Sequence, residues 1–149
     1  QRRFFRESAS GSGKVEKVEL AEGEMLDVGD KVIAEYCIHN DENRSFVRLT
    51  VPREAAFRPV DQLSGYYGWR MAPLRVNDWY SFAPQGYRNV KADRTEYMFD
   101  SYPEENTVIS EAFFVTQAGE FTAPVPVIES LYAPHYRAND AFRGVLSVK

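Results

Sequence analysis

The sequence predicts an all-β fold, an antiparallel β-sandwich, on three observations. Apolar and polar residues alternate with period two in several segments, these segments are short, and Gly, Pro, Asn or Asp bounds each of them. Aromatic content agrees: ten Phe, nine Tyr and two Trp among 149 residues suit pleated surfaces and contact faces, where large rings pack well.

Arg3 to Arg6 and Val15 to Leu20 read as the first two strands. Between them Ser8-Ala-Ser-Gly-Ser-Gly13 offers nothing to pack and reads as a flexible tip. Lys31 to His39 alternates most cleanly, with Val32, Ala34, Tyr36 and Ile38 on one face and Ile33, Glu35, Cys37 and His39 on the other. Asn40-Asp-Glu-Asn43 follows as a turn, and Phe46 to Val51 closes a hairpin. Pro52, Ala55-Ala56 and Arg58-Pro-Val-Asp-Gln-Leu63 permit one short helix, with Pro59 tolerated in a first turn. Gly65 to Gly86 breaks the alternation and reads as a long aromatic loop, a candidate contact surface built on Tyr66, Tyr67, Trp69, Trp79 and Tyr80. The remaining strands are Arg94 to Asp100, Thr107 to Thr116, Pro126 to Tyr132 and Gly144 to Val148.

Length and composition narrow the function classes. The chain has the size of one domain, 1–149, and its 44% hydrophobic and 27% charged residues suit a globular core. A net charge of −4 provides no basic face for phosphates, so nucleic acid is not an expected partner. The basic cluster Arg2, Arg3 and Arg6 reads as a solvated strand edge. No apolar run approaches the roughly 20 residues of a membrane span. The sequence opens on Gln-Arg-Arg-Phe-Phe-Arg without an initiator Met, as a fragment of a longer protein would. A single Cys, Cys37, leaves no intrachain disulfide.

Residues that carry chemistry are sparse. His39 and His135 have no ligand-like spacing to Cys, His or acidic residues, so no metal site is expected. Cys37, inside a strand, reads as a small hydrophobe with nothing to activate it. Ser10-Gly-Ser12-Gly13 is linker rather than a nucleophile turn, Glu104-Glu105 after Pro103 reads as a solvated turn, and no glycine loop ends in the Lys-Ser/Thr of a phosphate cradle. The expectation is a non-enzymatic contact module without a cofactor.

The C-terminal run Gly119-Glu-Phe-Thr-Ala-Pro-Val-Pro-Val-Ile-Glu-Ser-Leu-Tyr-Ala-Pro134 resembles the closing signature of bacterial alpha-2-macroglobulins, a G-x-F-x-x-P tract leading through a strand to a Tyr-Ala-Pro turn. Other tracts resemble the family's last domain in the right order. They are Gly29-Asp30-Lys-Val32, Ile38-His-Asn40 with Phe46-Val47, Phe57-Arg-Pro59 with Asp61-Gln-Leu-Ser-Gly-Tyr66, Gly86-Tyr-Arg-Asn-Val-Lys91 and Glu96-Tyr-Met-Phe-Asp100. The resemblance covers about residues 28–149 and leaves 1–27 as N-terminal strands and tip, by order of elements.

This resemblance implies a β-sandwich at the C-terminal end of a large protease-trapping protein of the periplasm or bacterial cell envelope. The partners it implies are the other domains of the parent and, through the whole trap, proteases. Cys37 lacks the Glu-Gln context of the family's thioester. In thioester-bearing relatives the last domain resembles a lid whose Met-Tyr pair shields the ester; Leu131 and Tyr132 stand at those positions. A ring that covers apolar area while its hydroxyl finds a polar partner suits shielding; an end-of-strand pair in the sandwich core is the other reading. Two function classes stay open: a docking and lid domain, and a carbohydrate-binding sandwich stacking sugars on Tyr66, Tyr67, Trp69, Trp79 and Tyr80.

Overall fold

A computed structural model describes residues 1–67, 81–82, 85–140 and 145–149. Its strands are β1 Arg2–Ala9, β2 Val15–Glu19, β3 Lys31–His39, β4 Arg44–Pro52, β5 Phe57–Pro59, β6 Gly65–Tyr67, β7 Ser81–Phe82, β8 Gly86–Val90, β9 Arg94–Tyr102, β10 Asn106–Val115, β11 Gly119–Thr122, β12 Val127–Ser130, β13 Arg137–Asn139 and β14 Val145–Val148. One sheet runs β2-β1-β3-β10-β5, with the short β7 parallel to β10; the other runs β13-β12-β4-β9-β8-β6, and β11-β14 forms a separate ribbon.

The alternation in β3 does what it predicts: Val32, Ala34, Tyr36 and Ile38 enter the core. They meet Ile109, Phe113 and Val115 of β10 and, from the opposite sheet, Val47, Leu49 and Val51 of β4 with Tyr97, Phe99 and Tyr102 of β9. Cys37 is buried on the other face of β3, and burial pushes its thiol up. Gly86 opens β8 where backbone and ring come close, since a Cβ there would stand 2.5 Å from Phe99 Cδ1 and 2.6 Å from the Met98 carbonyl oxygen.

Charges also enter the space between the sheets. Glu111 lies in the inward row of β10; Arg88 Nη2 of β8 donates to its Oε1 at 2.7 Å, as does the Thr95 hydroxyl of β9 at 2.7 Å. The buried Tyr36 phenol is held well above its ordinary pKa, by desolvation first and by Glu111 second. A second buried pair joins Arg2 of β1 to Glu54 beyond β4, at 3.4 Å.

Three expectations are corrected. The short helix permitted over residues 52–63 is absent; Ala55 and Ala56 make a turn, and Phe57–Pro59 is a strand with Phe57 and Pro59 buried and Arg58 exposed. Pro59 fits there because β5 is an edge strand, where a missing N–H breaks no ladder. The aromatic loop of 65–86 has strands at both ends, β6 pairing β8 with Tyr66 opposite Tyr87. The basic cluster is not a solvated edge. β1 lies between β2 and β3, and Arg2 is 1% exposed on the inward side with Phe4, while Arg3 pairs with Glu19 and Arg6 with Asp30.

Candidate interaction surface at the tip of the β12–β13 hairpin

β12 and β13 form a hairpin at one end of the second sheet, paired Val127 to Asn139, Ile128 to Ala138 and Glu129 to Arg137. Beyond the ladder, the Ser130 N–H donates to the Tyr136 carbonyl at 3.0 Å and the Tyr136 N–H to the Ala133 carbonyl at 2.9 Å. Pro134 supplies a fixed φ inside this closed turn. The tip therefore presents Leu131 and Tyr132 on hydrogen-bonded backbone.

Neither residue belongs to the sandwich core. Leu131 is 43% exposed and Tyr132 79% exposed. Their neighbour is Phe46 on β4, 44% exposed, whose carbonyl accepts the Leu131 N–H at 2.8 Å and whose ring meets that of Tyr132 edge to face, centroids 4.9 Å apart at 84°. Phe46 has φ of +55°, left-handed backbone in which a bulky side chain is strained. The pairing of β4 with β9 skips this residue, running Ser45 to Ser101 and then Val47 to Phe99. Three apolar side chains thus stand outside the core on one small patch, one of them at a conformational cost.

A groove of about 240 Å³ beside the patch is lined by His39, Asp41, Arg44, Glu129, His135 and Arg137, among others. It brings together the two histidines that sequence spacing keeps apart, and neighbours engage Asp41, Arg44, Glu129 and His39. Arg44 donates from Nε to Asn40 and from Nη2 to Asp41, each at 3.0 Å, pairs with Glu42 at 2.9 Å, and lies 4.2 Å from the Tyr136 ring centroid. The hydrogen bond from Arg44 holds the Asp41 carboxyl below its ordinary pKa. Arg48 takes Glu129 at 2.7 Å, and His39 Nδ1 bonds to Asn106 Oδ1. The Ser130 hydroxyl points to the Ser45 carbonyl at 3.5 Å rather than to either imidazole. Among the described residues no group of three or more His, Cys, Asp or Glu could hold a metal ion. The groove offers contact chemistry, not a nucleophile with its base.

Of the aromatic-loop candidates, Tyr66 is 78% exposed on β6, with its ring edge to face with Tyr87 at 5.5 Å. Tyr67 lies in the same strand, and Trp69, Trp79 and Tyr80 fall outside the described residues. Sequence reasoning missed Phe46 as a site residue. Its one signal was its place three residues past the Asn40–Asn43 turn, because phenylalanine is not a residue that marks left-handed backbone.

A family model described as "Bacterial Alpha-2-macroglobulin MG10 domain" matches residues 1–135. No curated protein matches the chain significantly. Among solved structures, Salmonella alpha-2-macroglobulin reacted with methylamine superposes with a TM-score of 0.70 at 16% identity, over 100% of this chain and 9% of that one. Native Escherichia coli alpha-2-macroglobulin from domain MG7 to the C-terminus gives 0.70 at 17% identity, over 100% and 23%. The trypsin-activated Escherichia coli protein gives 0.70 at 13%, over 100% and 10%. At these identities the likeness is one of fold, and the chain spans only a small part of each of those proteins.

Proposed function

Because this chain belongs to the bacterial alpha-2-macroglobulin MG10 domain family, we propose that it docks as a non-catalytic module on the body of a larger alpha-2-macroglobulin-like protein through Phe46, Leu131 and Tyr132. The parent is a protease trap of the periplasm or cell envelope, and the chain's task is to hold its native conformation until a protease is engaged. Where the parent carries a thioester, the tip covers it and keeps water away.

The observation that supports this reading is the Tyr132 ring, 79% exposed yet braced edge to face by Phe46 on strained backbone. An aromatic side chain presented on a fixed tip loses little conformational entropy when a partner covers it, the common property of interface anchors. Strain that persists at an exposed position fits a site kept for contact rather than for folding.

The test titrates the chain against its parent protein lacking these residues. Tyr132→Ala is expected to weaken binding by at least about tenfold, as loss of an anchor does, whereas Tyr66→Ala at the opposite end of the sheet leaves it unchanged. Equal binding by wild type and Tyr132→Ala rejects the reading. If the parent holds a thioester, its reaction with methylamine quickens in the Tyr132→Ala parent.

A further inference from the structure

The hairpin that carries Leu131 and Tyr132 is not packed flush against the first sheet. A cleft of about 230 Å³ separates it from β3 and from Gln1 ahead of β1, lined by Gln1, Tyr36, Cys37, Leu49, Ile128 and Ala138 with their neighbours. The cleft and the groove described above share Ile38, His39, Ile128 and Ala138, so the gap continues along the hairpin towards its tip. Within its own sheet β12 is laddered to β4 from Val127–Thr50 to Ser130–Val47; how the hairpin stands relative to the first sheet is set by the ties that cross the gap.

One residue supplies such ties to both legs. From β1, the Arg2 guanidinium donates from Nη1 to the Pro124 carbonyl at 2.7 Å, three residues before β12 begins, and the Arg2 backbone N–H donates to Asp140 Oδ2 at 2.8 Å, one residue after β13 ends. Glu54 balances the guanidinium charge at 3.4 Å, and the Phe4 ring lies 4.8 Å from it. Nε and Nη2 have no hydrogen-bond partner among the described residues. A buried cation with two unanswered donors is a poor source of net stability, since its desolvation is only partly offset; what such a group provides is geometry.

We infer that Arg2 is a latch across the open edge of the sandwich: it holds both ends of the β12–β13 hairpin to β1 and thereby sets where the Leu131–Tyr132 tip stands. The tip's role in docking rests on the proposed function; the latch itself does not. A single residue of the first strand then controls the placement of side chains about 130 positions away in sequence, and loosening it frees the hairpin without opening the core.

Amide hydrogen exchange on the chain tests this. In Arg2→Lys the charge stays but a single ammonium replaces the planar fork, and Ser130, Leu131 and Tyr136 are expected to exchange about tenfold faster while the β3–β10 ladder keeps its wild-type rates. Asp140→Asn leaves Arg2 and Glu54 intact and weakens the second tie; a smaller acceleration confined to the same hairpin is expected, and this variant decides the matter if Arg2→Lys does not fold. Acceleration spread equally over hairpin and ladder, or none in the hairpin, overturns the latch. Docking is measured on the same variants. A hairpin that loosens while docking is unchanged leaves the latch standing and rejects the docking role of the tip; docking lost with hairpin exchange unchanged does the reverse.

Discussion

The ring of Tyr132 stands edge to face on that of Phe46, centroids 4.9 Å apart, and Phe46 carries a φ of +55° to be there. In an ordinary strand position glycine is less stable than alanine by about 0.5–1 kcal/mol. At residue 46 the order should invert, because glycine adopts this backbone freely and alanine does not. Urea denaturation is expected to find Phe46→Gly more stable than Phe46→Ala by about 1 kcal/mol; alanine as the more stable variant would show that the position is unstrained.

Tyr132→Ala should hardly affect folding. The side chain is 79% exposed and outside the core, so a loss below about 1 kcal/mol is expected in the urea midpoint. A large loss would place the ring's role in the sandwich rather than in its contacts.

The pair Arg88–Glu111 responds differently to removal of one partner and of both. Glu111→Ala removes the acceptor 2.7 Å from the Arg88 guanidinium and leaves it the Asp61 and Leu63 carbonyls and the Asp61 carboxylate at 3.7 Å, at a cost of about 1.5–3 kcal/mol. Arg88→Met combined with Glu111→Leu removes both charges and keeps the volume, so most of that loss is expected to return. A double-mutant cycle of urea midpoints checks it; additive losses would mean the two charges do not depend on each other.

Burial raises the Glu54 carboxyl from its ordinary 4.5 to about 6, against the lowering pull of Arg2 and, more weakly, Arg53, with Glu111 of β10 adding to the rise. The folded state therefore holds the proton more tightly than the unfolded one, and this group's contribution is fully present below pH 4.5 and lost as pH rises through 6. The loss is worth roughly 2 kcal/mol by pH 7. Wild type should fall by about that amount relative to Glu54→Gln between pH 4.5 and 7, measured by urea titration at each pH; parallel profiles would contradict the shift.

Gly86→Ala should cost about 1–3 kcal/mol through overpacking, because the new methyl would meet the Phe99 ring and the Met98 carbonyl. The urea midpoint falls with an unchanged slope if only packing is disturbed.

How far the sequence could be read follows the length of each pattern. β3, β4, β9 and β10 have nine or ten residues, enough for period two to assert itself. β5 and β13 have three, which is too few to separate alternation from chance, and at Phe57-Arg-Pro59 the preceding alanines and the proline suggest a helix start more strongly than a strand. Leu131 and Tyr132 were found through a family resemblance and not through their chemistry. Phe46 gave little warning, since its left-handed backbone, at a point the β4–β9 pairing skips, opposes its own preference. Arg2 misled for a related reason: three arginines within six residues look like a solvated edge, and only groups distant in sequence, Glu54 and the Pro124 carbonyl, receive the Arg2 guanidinium in a buried place.

The charges buried between the layers bear on how such a domain finds its own other half. A foreign sheet laid over β10 would bring no guanidinium to the buried Glu111, and one laid over β8 would take from Arg88 its shortest carboxylate contact, leaving it Asp61, so the mismatch is largest at the glutamate. In a polypeptide that strings similar sandwiches together, greasy faces alone would be nearly interchangeable. An arginine on one layer and a glutamate on the other make each face a poor partner for strangers, and so guard against strand exchange while the chain is still folding.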